Sequence, residues 1–179
     1  MAMDHFREEV VVKHRNTLNK ILYYLSWIVI VVGGVTAIWG LQALMMHFDV
    51  FSLVFVLLSG GIAAYTFFFH DRLLTEYEYT FTNGALDFAE VYNNKKRKSL
   101  GSLNVRTVDA FGKVASGSFQ RHINTPNVKR MNWFLNREAD LHYFCFSKDG
   151  TKKMIIFEPS EEMVSDIMNY IPRGVWQEN

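Results

Sequence analysis

Residues 21–41 read ILYYLSWIVIVVGGVTAIWGL, and residues 51–69 read FSLVFVLLSGGIAAYTFFF. Neither run contains a charged side chain. At about 1.5 Å rise per residue, 21 helical residues span about 30 Å, the thickness of a bilayer's hydrocarbon core, and the second run is just long enough to do the same. Between them lies a short interruption around Met46-His47-Phe48-Asp49-Val50. A connection this short requires an antiparallel hairpin whose outer ends emerge on one side. A cleaved signal peptide would have a shorter apolar region than this. A buried soluble hairpin would need more covering protein than the remaining residues supply.

The charge distribution agrees with two transmembrane helices. Residues 1–20 hold four Lys or Arg, residues 21–69 hold none, and residues 70–179 hold fifteen. Basic flanks mark the cytoplasmic side. The sequence therefore predicts a multi-pass protein of the cell membrane with both termini cytoplasmic and His47 and Asp49 outside. Residues 1–20 form a cytoplasmic segment in this reading, residues 21–69 the transmembrane hairpin, and residues 72–179 an independent cytoplasmic domain. Small residues recur four apart within the spans, at Gly33 and Ala37, Thr36 and Gly40, Ser59 and Ala63, and Gly60 and Ala64. Such positions let helix backbones approach closely in lipid. They pack the hairpin against itself or recruit a membrane-protein partner or a second copy. No ionisable residue interrupts either span, which argues against an ion pathway.

Beyond the spans the periodicity changes. Tyr77, Tyr79 and Phe81 alternate with polar residues as in a half-buried strand, and Asn83-Gly84 is a strong hairpin signal. A second strand follows over 85–92, with a slip in spacing from Phe88 to Val91 that suggests a bulge near Ala89-Glu90. Asn93-Asn94 turns the chain into further strands at 97–103 and 105–111. Residues 112–130 read mostly as loop, with a short strand at 131–135. A hairpin pairs 139–147 with 151–158 around Lys148-Asp149-Gly150. Ser160 is a good N-cap for a helix over 160–171, whose apolar stripe is Met163, Val164, Ile167, Met168 and Ile171 and which Pro172 ends. Six or seven antiparallel strands closed by one C-terminal helix make an α+β domain on the plan of the pleckstrin-homology-like (PH-like) fold.

The runs EYEYTFTNGALDFAEVYNNKKRKSL (76–100) and KMIIFEPSEEMVSDIMNYIPRGVW (153–176) resemble an uncharacterised bacterial family of small two-span membrane proteins, mainly from clostridia-like Firmicutes. The resemblance implies a domain of unknown function with a PH-like cytoplasmic part, and it brings no substrate, cofactor or catalytic residue. Residues 113–137 lie outside it.

Signals for catalysis are poor. Phosphate-binding glycine loops, G-x-S-x-G and H-E-x-x-H are all missing from the sequence. The single cysteine, Cys145, sits among aromatics in a predicted strand, and His142, three positions away, points to the other face. The six histidines have no metal-ligand spacing. We expect no enzyme, no cofactor, no metal and no nucleic-acid partner, since the segment after the spans is nearly neutral. His70-Asp71-Arg72, where the second span ends, reads as an interfacial anchor. The candidate site is Lys95-Lys96-Arg97-Lys98 with Arg72. The strand before this turn runs back towards the bilayer, so the cations are expected to meet anionic lipid headgroups. The alternatives are a solvated turn, and an accessory subunit of a larger membrane complex joined through its helices.

Overall fold

The computed structural model describes residues 5–177, so the extreme termini of the topology expectation lie outside the described residues. The chain divides into two compact units. One comprises Arg15–Thr75 and Tyr92–Lys95. The other comprises the described parts of Met1–His14, Glu76–Val91 and Lys96–Asn179.

The helical unit contains α1 (Thr17–Met46) and α2 (Val50–Phe69), followed by a 3-10 turn, His70–Leu74. Both helices are long and apolar enough to cross a membrane. α1 exceeds the predicted run 21–41 at both ends: a helix satisfies its own backbone, so it begins in the polar segment 17–20 that hydropathy does not mark, and it continues through Gln42-Ala43-Leu44-Met45-Met46. Asp49 starts α2: its carboxylate accepts a hydrogen bond from the Ser52 N–H at 2.9 Å, satisfying one of the orphan donors of the first turn. This bond holds the carboxyl below its usual range.

Small residues form the seam between α1 and α2. A Cβ on Gly33 would stand 3.0 Å from the Ala63 Cβ and 3.1 Å from the Ser59 carbonyl oxygen. One on Gly40 would stand 2.5 Å from Val56 Cγ2, and Gly60 faces Ala37. Of the two alanines expected to pack, Ala63 lies in the seam and Ala64 is exposed. Two overlapping i,i+4 pairs, Ser59/Ala63 and Gly60/Ala64, run along α2. Spacing alone does not say which of them the partner helix meets.

The β unit contains two sheets. The first has the order β1-β2-β3-β4, formed by β1 (Phe6–Val11), β2 (Thr75–Thr82), β3 (Ala85–Tyr92) and β4 (Lys96–Asn104). The second has the order β6-β8-β7-β5-β9, formed by β5 (Ala110–Lys113), β6 (Lys129–Trp133), β7 (His142–Lys148), β8 (Thr151–Phe157) and β9 (Trp176–Gln177). Helix α3 (Gly117–Ile123) precedes β6, and α4 (Glu161–Met168) follows β8. Predicted turns at Asn83-Gly84 and Asp149-Gly150 occur, with both residues of each in the left-handed region that Asn, Asp and Gly tolerate. In β3 the buried side chains are Leu86, Phe88 and Val91, following the slip in the pattern.

The largest correction concerns the N-terminal segment. Residues 6–11, read from the sequence as part of an N-terminal segment outside the β domain, are strand β1 of that domain, antiparallel to β2 with Phe6 opposite Thr82 and Val11 opposite Tyr77. The β domain therefore does not begin at residue 72. Its β1–β2 connection carries both long helices. In β1 the more buried positions are Arg7, Glu9 and Val11. Two of the three are charged, so the strand has no apolar alternation to read. Arg7 Nε lies 2.5 Å from Asp166 Oδ2 of α4, and Glu9 accepts from the Ser160 N–H at 3.0 Å and from the Ser160 hydroxyl.

The expected strand 105–111 is a 3-10 turn, Val105–Thr107, and then β5. The Asn104 side chain accepts from the Arg106 N–H at 3.0 Å and turns the chain from the first sheet into the second. The expected loop 112–130 contains α3, and the strand expected at 131–135 lies at 129–133, parallel to β8. The terminal helix stops at Met168, where bonds from Asn169 N to Asp166 O and from Tyr170 N to Ile167 O tighten its last turn. The domain thus has nine strands in two sheets among the described residues, not six or seven.

The core lies between the sheets and under α4. Tyr79, Phe81, Leu86 and Phe88 from the first sheet meet Phe111, Phe144, Ile155 and Phe157 from the second, with Met163 and Ile167 from α4. Tyr79, Phe88 and Phe157 pack edge to face at 5.5–5.6 Å. The buried Tyr79 hydroxyl donates to the Trp133 carbonyl and accepts from the Glu158 N–H, so no polar atom is left unmatched there.

Candidate functional site

The basic turn grows out of β3 and β4. Asn93 and Asn94 adopt left-handed backbone, which Asn tolerates better than most residues, and Lys95 N closes the turn on Tyr92 O at 2.9 Å. Tyr92 to Lys95 belong to the helical unit. Asn93 accounts for this: its N–H donates to Leu74 O at 2.9 Å, and its side-chain amide donates to Asp71 Oδ1 at 2.7 Å and to the Tyr23 hydroxyl at 3.1 Å. Lys95 Nζ also reaches Asp71, at 3.3 Å. Asp71 thus ties the turn to the segment that follows α2, and Tyr23 ties it to α1.

Below this lies a buried histidine. His70 is enclosed by Tyr23, Trp27 and Phe67, with ring centroids 5.2–5.9 Å away. Its Nδ1 lies 2.7 Å from Phe67 O, and its Nε2 faces Asp71 at 3.5 Å. Arg72 places its guanidinium 4.6 Å from the Phe69 ring centroid and 5.8 Å from that of Tyr92. Such cation–π contacts orient an Arg at an aromatic boundary. The sequence marked His70-Asp71-Arg72 as an anchor. It did not identify Tyr23, Asn93 and Asp71 as one network, because Asn93 reads locally only as a turn residue.

All four cations of the turn are exposed, and three have carboxylate partners. Lys95 has Asp71, Arg97 has Glu78 and Glu8, and Lys98 has Glu90 at 3.9 Å. Within the helical unit Lys95 is matched by Asp71, and within the β unit Arg97 and Lys98 are matched by Glu8, Glu78 and Glu90. Exposed pairs of this kind contribute about 0–1 kcal/mol each. They are weak enough to exchange with other anions.

The remaining candidates belong to the β unit. Cys145 in β7 has its thiol pushed up to about 12, chiefly by burial, and is protonated at neutral pH. His142 is buried, tilted against Phe111 and stacked on Trp176, and burial lowers its pKa. Phe119 is buried and Trp133 half-buried, so neither offers an exposed aromatic for insertion into lipid. Among the described residues no three of His, Cys, Asp and Glu gather as a metal site.

The sequence profile of a family described as Bacterial PH-like domain (DUF6106) matches residues 3–177. No curated protein and no solved structure shows a significant match to the chain.

Proposed function

The chain belongs to the Bacterial PH-like domain family (DUF6106), and on that premise we propose that it is a non-catalytic, membrane-anchored module whose basic turn binds anionic lipid headgroups. A PH-like fold hosts many functions, so the reading rests on the site. One observation carries it: Lys95 is fixed, through Asp71 and Asn93, to the segment where α2 ends. If α2 crosses the bilayer, that segment lies at headgroup level. Basic residues there contribute about 1 kcal/mol each against an anionic surface, at least as much as the exposed pairs they would exchange. The long helices suit this anchoring. Val31, Val35 and Ile38 on α1 and Leu57, Leu58 and Ile62 on α2 are exposed. An apolar surface of that extent is favourable only against lipid or a partner. The seam's small residues are used between α1 and α2, which supports a self-packed hairpin over recruitment of another subunit.

The lipid reading is tested in nanodiscs. At low salt the chain should unfold at a higher temperature in discs containing phosphatidylglycerol than in phosphatidylcholine alone. Replacing Lys95, Lys96, Arg97 and Lys98 with Gln should remove most of that difference, up to about 4 kcal/mol. Because each protein is compared with itself in the two lipids, pairs lost in the variant cancel. The difference should shrink at physiological ionic strength, where the Debye length is about 8 Å. An undiminished difference in the four-Gln variant would overturn the reading.

The proposed topology, with both ends of the hairpin cytoplasmic, is tested by labelling intact cells. In a Cys145→Ser background, His47→Cys should react with an impermeant thiol reagent and Lys95→Cys should not. The reverse pattern would mean the opposite orientation.

A further inference from the structure

Strand β1 is an outer strand of the first sheet: among the described residues only β2 pairs with it. The Asn83 N–H donates to His5 O at 3.0 Å, so the residues of β1 whose backbone groups turn towards β2 are Arg7, Glu9 and Val11. The N–H and C=O of Phe6, Glu8 and Val10 therefore point to the open side. Further along, that side is in use, because Asn136 donates to Val12 O at 2.9 Å and accepts from the His14 N–H at 2.8 Å. Among the described residues the backbone of Phe6, Glu8 and Val10 has no such partner. Outer strands are normally blunted by a proline, a bulge or a cover, and none of these protects β1.

Along β1 runs a groove of about 510 Å³, whose other wall is Glu158-Pro159-Ser160, Glu162 of α4 and Ala139-Asp140. Its lining is acidic. Glu9, Asp140, Glu158 and Glu162 face it, whereas Arg7 is already paired with Asp166 and His14 lies 3.9 Å from Glu158. Glu9 and Glu158 also serve the fold, by accepting from Ser160 and Asn136, and Asp140 and Glu162 are exposed at the rim. On the other face of the same strand Phe6, Val10 and Val12 are 64%, 51% and 45% exposed. An open edge thus has carboxylates on one side and apolar side chains on the other.

We propose that the open edge of β1 binds an extended polypeptide segment in which Lys or Arg alternates with apolar residues, taken up as an added strand. Side chains alternate across a strand, so the cations of such a segment fall on the side of Glu9 and Glu162, and its apolar residues fall beside Phe6 and Val10. The backbone bonds supply affinity and the alternate side chains specificity. A second copy of this chain is a poorer occupant: pairing two β1 strands about Arg7, Glu8 or Glu9 sets that residue against its own like charge.

The full chain in neutral detergent, without lipid, is titrated into a fluorescein-labelled octapeptide of alternating Val and Lys, and binding is read by anisotropy. Controls are an octapeptide of four Val followed by four Lys and one of alternating Val and Glu, both of which should bind far more weakly. Val10→Pro removes one N–H from the open edge and spares the bonds to β2, a placement proline tolerates on an outer strand. It should weaken binding about tenfold with the unfolding midpoint near the parent's. Asp140→Asn/Glu162→Gln should weaken binding about tenfold at low salt and less at physiological ionic strength. On the parent chain, N-methylation of one alternate set of peptide amides should abolish binding and N-methylation of the other set should not: the valines face β1 in an antiparallel pairing, the lysines in a parallel one. That arm decides the matter even if Val10→Pro fails to fold. Equal binding of the three octapeptides would overturn the proposal, as would tolerance of both N-methylated sets or undiminished binding by the Asp140/Glu162 variant. A concentration-dependent dimer of the chain that Val10→Pro disperses would overturn it in favour of a second copy.

Discussion

Replacing Ile167 with Asp should abolish the cooperative unfolding of the β unit. Ile167 is fully buried on α4, in the cluster that joins that helix to both sheets. The substitution removes about 2 kcal/mol of apolar burial and places a carboxylate among Phe and Met side chains with no cation built to meet it. An uncompensated buried charge costs about 3–5 kcal/mol even after neighbours relax. The sum is comparable with the whole stability of a typical domain, about 5–15 kcal/mol. Ile167→Val should cost only about 1 kcal/mol, since it removes one methylene. The measurement is thermal unfolding followed by near-UV circular dichroism. A midpoint for Ile167→Asp within a few degrees of the parent's would show that α4 is not part of the cooperative core.

Removing the two long helices should leave the β unit folded, but only if β1 is kept. A fragment of residues 72–179 lacks β1, and with it six backbone pairings to β2 and the buried Val11. It also leaves Asp166 without Arg7, Ser160 without Glu9, and the nearly buried Asn136 without the Val12 carbonyl that accepts its amide at 2.9 Å. Each buried or half-buried polar group stranded in this way costs about 1–3 kcal/mol, and burial of Val11 is worth about 2 kcal/mol. We expect the fragment to lose its cooperative transition or to unfold far below the intact chain. Residues 5–14 joined to 76–177 by a Gly/Ser linker of about five residues should fold, because Val11 stands opposite Tyr77 and the gap is that of an ordinary hairpin loop. Equal midpoints for the fragment and the linked chain would show β1 to be an ornament of the sheet.

Much of the architecture is local and was legible in the sequence. The two apolar runs announce helices by length and lack of charge. Asn83-Gly84 and Asp149-Gly150 announce hairpins because few other residues accept left-handed backbone cheaply. Ser160 caps α4 with its hydroxyl accepting from the Met163 N–H at 3.1 Å, and the stripe through Met163 and Ile167 faces the core. The candidate site was legible in part. The basic run at 95–98 is plain in the chain, but its carboxylate partners are not, because Glu8 and Asp71 come from distant segments.

Periodicity and backbone preference within a few residues are enough to define the two apolar helices, the alternating strands and the capped terminal helix. Tertiary structure alone decided that residues 6–11 form a strand, that α3 closes over the second sheet, that β6 lies parallel to β8, and that Ala63 lies in the helix seam while Ala64 does not. In each case the stabilising partner is remote. Arg7 and Glu9 occupy inward positions because Asp166 and Ser160, more than 150 residues away, receive them. A polar side chain that is satisfied only in the folded protein leaves no apolar pattern in the chain from which its burial can be read.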